Sequence, residues 1–318
     1  DLYPDYLDGT NIGGSSFVAH VSHAAAAIHA GLCNVALVLY GSTAASNSMA
    51  IGTGGSGGSK NPDTAFSAPY GMTTVGSYAT YANLHMKTYG TTSEQLAEIA
   101  VTMRQHATLN PLAKMRNPIT IDDVLTSRMI SRPLHLLDCC IISDGGGAVV
   151  VTSLDHARDL RKKPVQILGC GEAVQHQGVG YSDILSIAAK QSGAKALQMA
   201  GVQHSDIDLA MIYDSFTITV LATLENLGFC PVGEGGDFVA NGGISLQGSL
   251  PVNPDGGGLS SNHPGMRGIF LVIEAVKQLR NECDARQVPN AEVALAHGTG
   301  GTIGDKHSGA TLILGVDR

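Results

Sequence analysis

Helix-like and strand-like hydrophobic patterns alternate along most of the chain, and this alternation restricts the possible fold more than any other feature. In the first half, the Ala-rich segment at residues 24–30 has a helical pattern, and the apolar run VALVLYG at 35–41 predicts a buried strand. In the second half, strands are predicted for VQILGCGEAV, IDLAMIYDSFT, EVALAHG and ATLILGV, with helical segments between them. Such alternation indicates an α/β fold, in which helices cover the faces of a sheet.

A short basic stretch, RDLRKKP at residues 158–164, interrupts the alternation near the middle of the chain. The pattern begins again after it. We therefore predict two halves, residues 1–155 and 164–318, each built from a sheet with helices on both faces.

Two local patterns in the first half predict its elements. Residues 92–110 have a helical apolar stripe and a capping-box start at Thr92 and Ser93, with Glu98 near. Residues 140–153, CIISDGGGAVVVTS, predict a buried hairpin or strand pair.

Glycine is the compositional outlier, with 40 of 318 residues against a usual share of about 7%. Most of the excess lies in predicted turns, where close backbone approach or a positive φ favours a residue without a side chain. The cluster GTGGSGGS at 52–59 could be mistaken for a phosphate loop, but it follows a polar stretch and lacks the Lys-Ser/Thr that completes such a loop. We expect a surface loop there.

Charge and hydropathy exclude several classes of function. The formal net charge is −8, without a block of like charges, which argues against a nucleic-acid surface or a polybasic membrane anchor. No apolar run approaches the roughly 20 residues that cross a bilayer, and no charged-then-apolar leader opens the chain. These features predict a cytoplasmic protein.

The cysteines and histidines give little sign of a metal site. The six cysteines form no C-x-x-C pair and lie mostly in apolar runs, which predicts buried, reduced thiols. His20 and His23 have a helical spacing typical of metal ligands, but no third ligand is apparent, so packing or a dimer contact is the better interpretation. We expect no bound metal.

The segment NIGGSSF at residues 11–17 precedes the Ala-rich helix and could present a nucleophile. A helix N-terminus stabilises negative charge that develops in a reaction, so Ser15 and Ser16 are candidates. A serine nucleophile also needs a base at hydrogen-bond distance, and the segment shows none beside it. The alternative is that both serines shape the turn and cap the helix.

Three loops at predicted strand ends hold the remaining candidates. YDSFT contains Tyr213 and Asp214, DGGGLSSNHPGMRG contains His263, and AHGTGG contains His297. Sheets of α/β proteins keep their chemistry at strand ends, although each of these residues also has a structural interpretation as a core aromatic, a helix cap or a core histidine.

These motifs, in this order, resemble the thiolase superfamily over essentially the whole chain, in particular the sterol-carrier-protein-X type and the thiolase-like steroid side-chain aldolases. GGLSSNHPGMRG resembles the family's His-Pro loop, AHGTGG occupies the place of its C-terminal Cys-x-Gly loop, and SDGGGAVVV resembles its Asp-Gly strand. YDSFT takes the place of an Asn-Glu-Ala-Phe or His-Asp-Cys-Phe motif.

The resemblance implies a five-layered αβαβα thiolase fold of two similar halves, with a loop domain inserted at about residues 45–135. Family members have further strands and a helix before the segment that begins here, so the N-terminal half is expected to be truncated. The implied substrate is a coenzyme A thioester, with no tightly bound cofactor. The implied partners are a second copy in a homodimer and a small zinc-ribbon and OB-fold subunit.

The resemblance also exposes a changed active site. The family's acylated cysteine lies at the start of the helix where this chain has Gly14, Ser15 and Ser16, and His297 replaces the second cysteine. Acid/base groups without a covalent nucleophile suit retro-aldol cleavage of a β-hydroxyacyl-CoA. In that mechanism Tyr213 is the hydroxyl base or relay, tuned by Asp214 or His297.

In the same mechanism, His263 hydrogen-bonds the thioester oxygen and stabilises the enolate. The alternatives are an acyltransferase with an atypical serine nucleophile and a non-catalytic acyl-CoA or lipid carrier. Tyr213, His263 and His297 are expected to meet in one pocket that faces Gly14.

Overall fold

The structure is a computed structural model that describes residues 3–49, 73–175, 183–304 and 306–317. The glycine cluster at 52–59, for which a surface loop is predicted, lies outside the described residues. The predicted α/β class is observed, because helices alternate with strands in both halves.

In the described part of the first half, one helix and one pair of strands flank a longer segment of further elements. Helix α1, Ser16–His29, leads into strand β1, Val35–Thr43, which pairs antiparallel with strand β4, Asp144–Thr152. The prediction of a hairpin over 140–153 is wrong, because this segment supplies a single strand whose partner is β1. The strands are also less buried than predicted, since only alternate side chains pack inward.

The segment between β1 and β4 contains short elements that pack largely against the second half. They are helix α2, Thr74–Tyr89; helix α3, Ser93–Thr108; helix α4, Ile121–Thr126; and strands β2, Met129–Ser131, and β3, Leu134–His135. The capping box of α3 joins Thr92 to Gln95 rather than to Glu98, because the reciprocal hydrogen bonds need the third residue of the helix.

In the described part of the second half, helices cover a four-stranded sheet. After helix α5, Leu154–Arg158, come strand β5, Val165–Gln175; helix α6, Ala189–Ala200; strand β6, Leu209–Ile212; helix α7, Thr217–Leu227; helix α8, Gly235–Ala240; helix α9, Gly268–Leu279; and strands β7, Val293–Gly301, and β8, His307–Val316. The strand order is β5-β8-β7-β6, with β6 and β7 parallel and the other pairs antiparallel.

Helices α1 and α9 form a layer between the two sheets. Residues of both helices share one core cluster with residues of both sheets, including Val18, Ile269, Val38 and Ala296. Each helix is followed by an antiparallel strand pair, β1 with β4 and β7 with β8, so the two halves are similar. The exact boundaries at 155 and 164, and the inserted domain at 45–135, stay predictions.

The burial of the cysteines and the hydropathy of the helices bear on two predictions from composition. All six cysteines are free thiols, but only Cys230 and Cys283 are buried, and the other four are partly exposed. Within the described ranges, no helix has both the length and the apolar character needed to cross a bilayer.

Candidate active site

The starts of the two central helices meet at one point. A short 3₁₀ turn, Gly13–Ser15, precedes α1, and Gly268 begins α9. A Cβ atom on Gly268 would lie 2.6 Å from the carbonyl oxygen of Gly14, so only glycine permits this backbone contact. Because both helices point their N-termini at this place, their dipoles favour negative charge there.

Tyr213 follows β6 and places its hydroxyl beside this meeting point. The side chain is 4% exposed, and its hydroxyl oxygen lies 2.9 Å from Nε2 of His263 and 3.1 Å from the carbonyl oxygen of Gly265. The backbone N–H of Arg267 donates to the same hydroxyl over 3.2 Å. The structure therefore brings Tyr213 and His263 together at the start of α9.

The three contacts of the Tyr213 hydroxyl favour one tautomer of His263. A hydroxyl donates once and accepts twice. All three contacts are hydrogen bonds only if Tyr213 donates to Gly265 while His263 donates from Nε2–H and Arg267 donates from its backbone. This assignment leaves Nδ1 of His263 as an unprotonated acceptor, and that buried atom has no hydrogen-bond partner in the described part of the chain.

Burial sets the charge state of both side chains. Desolvation, with a smaller contribution from the Arg267 charge, lowers the pKa of His263 to about 4, so the imidazole is neutral at physiological pH. Desolvation also raises the pKa of Tyr213 far above its usual value of 10.0, so the phenol stays protonated. A neutral imidazole can accept a proton, whereas this buried phenol is a poor base by itself.

Asp214 is next to Tyr213 in the sequence, but its side chain binds the loop that contains Gly258 and Leu259. Its carboxylate accepts hydrogen bonds from the backbone N–H groups of Gly258, at 2.6 Å, and Leu259, at 3.1 Å, in the π-helical turn Gly257–Ser261. Burial raises the pKa of Asp214 to about 6, opposed by the Arg267 charge and these N–H groups. The hydroxyl of Tyr213 contacts His263, and its tuning by Asp214 or His297 stays a prediction.

Arg267 is a site residue that the sequence analysis missed. Its side chain is fully buried and forms an ion pair with Asp255, and its Nε donates to the carbonyl oxygen of Asn262 over 3.1 Å. One guanidinium nitrogen, Nη1, has no partner among the described residues. The signal was an arginine directly before the apolar run GIFLVI, where a charge has to be buried and paired.

The hydroxyls of Ser15 and Ser16 are used by the backbone of their own turn. Ser15 donates to the carbonyl oxygen of Ile12 over 2.8 Å and contacts the Ser308 hydroxyl at 2.7 Å. Ser16 donates to the carbonyl oxygen of Gly13 over 2.7 Å. Ser15 occupies the N-cap position of α1 but makes no side-chain cap bond, because its hydroxyl points back to Ile12. The serines therefore shape the turn rather than cap the helix.

His297 lies on the other side of the second sheet. Side chains alternate along a strand, and β6 pairs with β7 so that Ile212 lies opposite His297. Tyr213 therefore shares a side with Gly298, whose Cβ would lie 2.8 Å from the Cα of Ser15. We call the side that faces α1 and α9 the central face, and the side that faces α6 and α7 the outer face.

On the outer face, His297 belongs to a separate polar cluster. Its Nδ1 lies 2.8 Å from Oγ1 of Thr311, which lies 2.9 Å from Oγ of Ser192 on α6. His307 lies near, and its Nδ1 accepts from the backbone N–H of Ala188 over 3.2 Å. The structure thus brings Tyr213 and His263 together but does not bring His297 into their pocket. A catalytic role for His297 stays a prediction.

The described residues hold no group of three or more metal-ligating side chains. Nε2 of His20 contacts the backbone of Thr10, and His23 lies between the carboxylates of Asp8, at 2.8 Å, and Glu172, at 3.2 Å. The His20 and His23 pair therefore attaches the segment before α1 to its surroundings by hydrogen bonds.

Comparison with known proteins gives relatives over the whole chain. A sequence model described as "Thiolase C-terminal domain-like" matches residues 171–316. A steroid side-chain-cleaving aldolase of Thermomonospora curvata is 38% identical over 98% of this chain and 81% of its own length. An acetyl-CoA acetyltransferase of Methanothermobacter thermautotrophicus is 39% identical over 76% of this chain, and the match spans 64% of the acetyltransferase.

A solved structure, the Ltp2-ChsH2(DUF35) aldolase, has a similar fold, with a TM-score of 0.85 and 36% identity. The match covers 97% of this chain and 79% of that chain. The likeness therefore extends to both halves and includes the elements that hold Tyr213 and His263.

Proposed function

This chain belongs to the thiolase superfamily and is a thiolase-fold enzyme, and from that premise we propose that it cleaves a carbon–carbon bond of a β-hydroxyacyl-CoA by a retro-aldol reaction. The observation that supports this proposal most is the contact between Tyr213 and His263 at the start of two helices, where the turn before α1 has Gly14, Ser15 and Ser16 and no cysteine. Retro-aldol cleavage needs a proton acceptor and a site that favours an oxyanion, but no acyl-enzyme.

In the proposed mechanism, His263 moves the proton. The lone pair of its Nδ1 accepts the proton of the β-hydroxyl, the Cα–Cβ bond breaks, and its electrons form the thioester enolate while the β-carbon becomes a carbonyl. The imidazolium then returns the proton to the enolate carbon, which yields the shorter acyl-CoA. The N-termini of α1 and α9 stabilise the enolate because their dipoles favour negative charge.

Tyr213 positions His263 in this mechanism. Its hydroxyl oxygen accepts a hydrogen bond from Nε2–H of His263, which keeps Nδ1 unprotonated and fixes the orientation of the ring. The three contacts and the raised pKa of Tyr213 favour this orienting role over the role of hydroxyl base predicted from the sequence.

The hydroxyls of Ser15 and Ser16 donate to backbone carbonyl groups, which counts against a serine acyl-enzyme. The name of the steroid side-chain-cleaving relative favours a bulky, polycyclic acyl chain as the substrate. The aldolase structure is named for two components, which favours a partner subunit, and we propose a zinc-ribbon and OB-fold protein beside a homodimer of this chain. We propose that no tightly bound cofactor takes part.

Substitution of His263 tests the function against a matched control. His106 is a second buried histidine whose pKa burial lowers to about 4, and its Nδ1 contacts the carbonyl oxygen of Asn253. With the full-length protein and β-hydroxyacyl-CoA substrates, we expect His263→Asn to lower kcat by about 10² to 10⁴. His106→Asn should change kcat by less than about tenfold, because both variants lose a similar buried contact but only one loses the base.

The products and the enzyme mass separate the alternatives. The proposal expects a carbonyl product, a shortened acyl-CoA and an unchanged intact mass of the protein. A trapped acyl-enzyme would identify the acyltransferase, and stoichiometric binding without turnover would identify the carrier. Equal loss of kcat in both histidine variants would contradict the role of His263.

A further inference from the structure

The ring of Tyr213 fills the space where a side chain at position 14 would lie. A Cβ atom on Gly14 would come within 2.3 Å of Cε2 and 2.5 Å of Cζ of Tyr213, and within 2.5 Å of the carbonyl oxygen of Thr299. These distances are far below van der Waals contact. A residue with a side chain at position 14 and the present position of Tyr213 therefore exclude each other.

The backbone does not explain the glycine by itself. Gly13 has a φ of +67°, which favours glycine, but Gly14 is not among the residues with positive φ. An L-residue could adopt the backbone of Gly14, so the restriction at this position is the space taken by Tyr213 and by the Thr299 carbonyl group.

The ring cannot move aside without losing its contacts. The hydroxyl is held by His263, Gly265 and Arg267 on one side, and the ring packs against the turn before α1 on the other. A displacement of about 1 Å, which would relieve the overlap only in part, is large against hydrogen-bond tolerances and would disturb the contacts of the hydroxyl at 2.9, 3.1 and 3.2 Å.

We infer that Gly14 is a positioning residue: because it has no side chain, the Tyr213 ring can occupy the space beside the turn and hold its hydroxyl on His263. The catalytic consequence of this positioning rests on the proposed function. The resemblance places a cysteine in this turn in other family members. In this chain the absence of a side chain at position 14 and the presence of tyrosine at position 213 are one coupled change, because a cysteine side chain would overlap the ring.

A double-mutant cycle on stability tests the coupling without any substrate. Gly14→Ala should shift the unfolding equilibrium strongly toward the unfolded state in the parent protein. In a Tyr213→Ala background the same substitution should have an effect at least about tenfold smaller on the equilibrium constant. The overlap with the Thr299 carbonyl group is present in both backgrounds and cancels. Gly9→Ala is the matched control, since no atom lies within 4 Å of its added Cβ.

A failure of Gly14→Ala to fold would still be informative, because the double variant should then fold again. Equal effects of Gly14→Ala in the two backgrounds would overturn the inference. Imidazole ¹⁵N signals of His263 give a second readout that a general loss of stability would not produce. We expect the Nε2–H tautomer in the parent and in Gly9→Ala, and its loss or a tautomer mixture in folded Gly14→Ala.

Measurements of kcat and KM test whether the positioning of Tyr213 by Gly14 affects the reaction. Gly14→Ala should lower kcat by at least about tenfold with little change in KM, and should add nothing in a Tyr213→Phe background, where the hydroxyl is already absent. An additive effect on kcat would overturn the action of Gly14 through that hydroxyl. If the parent has no aldolase turnover, the proposed function fails, while the stability cycle and the ¹⁵N signals still decide whether Gly14 positions Tyr213.

Discussion

The central and outer faces of the second sheet each hold buried histidines whose pKa is lowered, yet the surroundings of these rings differ. Burial lowers the pKa of His263 on the central face to about 4, and that of His297 on the outer face to about 3. Each ring has one nitrogen without a partner in the described part of the chain. A depressed pKa and an unpartnered nitrogen therefore do not distinguish the two.

The difference lies in what surrounds each imidazole. His263 contacts a tyrosine hydroxyl at the meeting point of two helix N-termini. His297 contacts the hydroxyl of Thr311, within a chain of hydrogen bonds that reaches Ser192 on α6. Under the proposed function, the electrostatic surroundings of His263 give it a role in the chemistry, and burial, which both histidines share, does not.

The largest contrast is expected when one hydroxyl is removed from each face. Tyr213→Phe keeps the ring but deletes the oxygen that contacts His263, so kcat should fall by about 10² to 10⁴. Thr311→Val, which deletes the hydroxyl that contacts His297, should change kcat by less than about tenfold. Steady-state kinetics with a β-hydroxyacyl-CoA measure both, and thermal unfolding confirms that both variants fold. A fully active Tyr213→Phe protein would exclude this mechanism.

His297→Ala tests whether the outer face takes part in catalysis. Its position on the outer face predicts a loss of about 2 to 4 kcal/mol in the free energy of unfolding, with kcat reduced by less than about tenfold. The prediction from the sequence, a shared acid/base unit, instead expects kcat to fall as far as in Tyr213→Phe, without further loss in the double variant. Denaturant unfolding and kinetics on both single variants and the double variant decide between the two faces.

Acid should destabilise both faces in the same way. His263, His297 and His307 have native pKa values of about 4, 3 and 4, below the usual value of 6.5 that applies after unfolding. Between pH 6.5 and about 4 the unfolded state binds more protons, so the free energy of unfolding falls as pH falls, by at most about 1.4 kcal/mol per pH unit for each histidine. Replacing His263 or His307 with Asn should reduce this slope equally in urea titrations from pH 7 to 4.5. An unchanged slope in either variant would show that its histidine binds as many protons in the native state as in the unfolded state, which contradicts a lowered native pKa.

The smallest effects are expected at the turn before α1. Ser15→Ala and Ser16→Ala each remove a hydroxyl that donates to a backbone carbonyl group. The free energy of unfolding should fall by about 1 kcal/mol, and turnover by less than about tenfold. A loss of several orders of magnitude in kcat at one serine, in a folded protein, would favour the acyl-enzyme alternative.

The fold could be predicted further than the site. The hydrophobic periodicity of segments such as 92–110 and 24–30 indicates the helices, and the glycine-rich loops mark the ends of the strands. The strand over 140–153 was predicted as a hairpin because its partner, β1, lies about 100 residues away, and local patterns do not report such pairing.

The site depends on a register that the sequence does not show. His297 and Gly298 are neighbours, yet only position 298 faces Ser15, and a shift of one residue would exchange their sides. The contact between Tyr213 and His263 could not be predicted from the sequence either. It forms in the turn before α9, where the Tyr213 hydroxyl also contacts the backbone of Gly265 and Arg267. Both features depend on tertiary contacts between residues far apart in the chain.

The outward side of β1 has a consequence for the handling of the protein in solution. Val35, Leu37 and Leu39 alternate along this strand and are 50%, 56% and 61% exposed. A row of exposed apolar side chains on a strand is a template for pairing between molecules, and lysine on such a strand is a common natural protection. Leu37→Lys should therefore reduce light scattering of concentrated samples. The core should stay intact, because the side chain of Leu37 points outward and that of its neighbour Val38, which packs in the core, is unchanged.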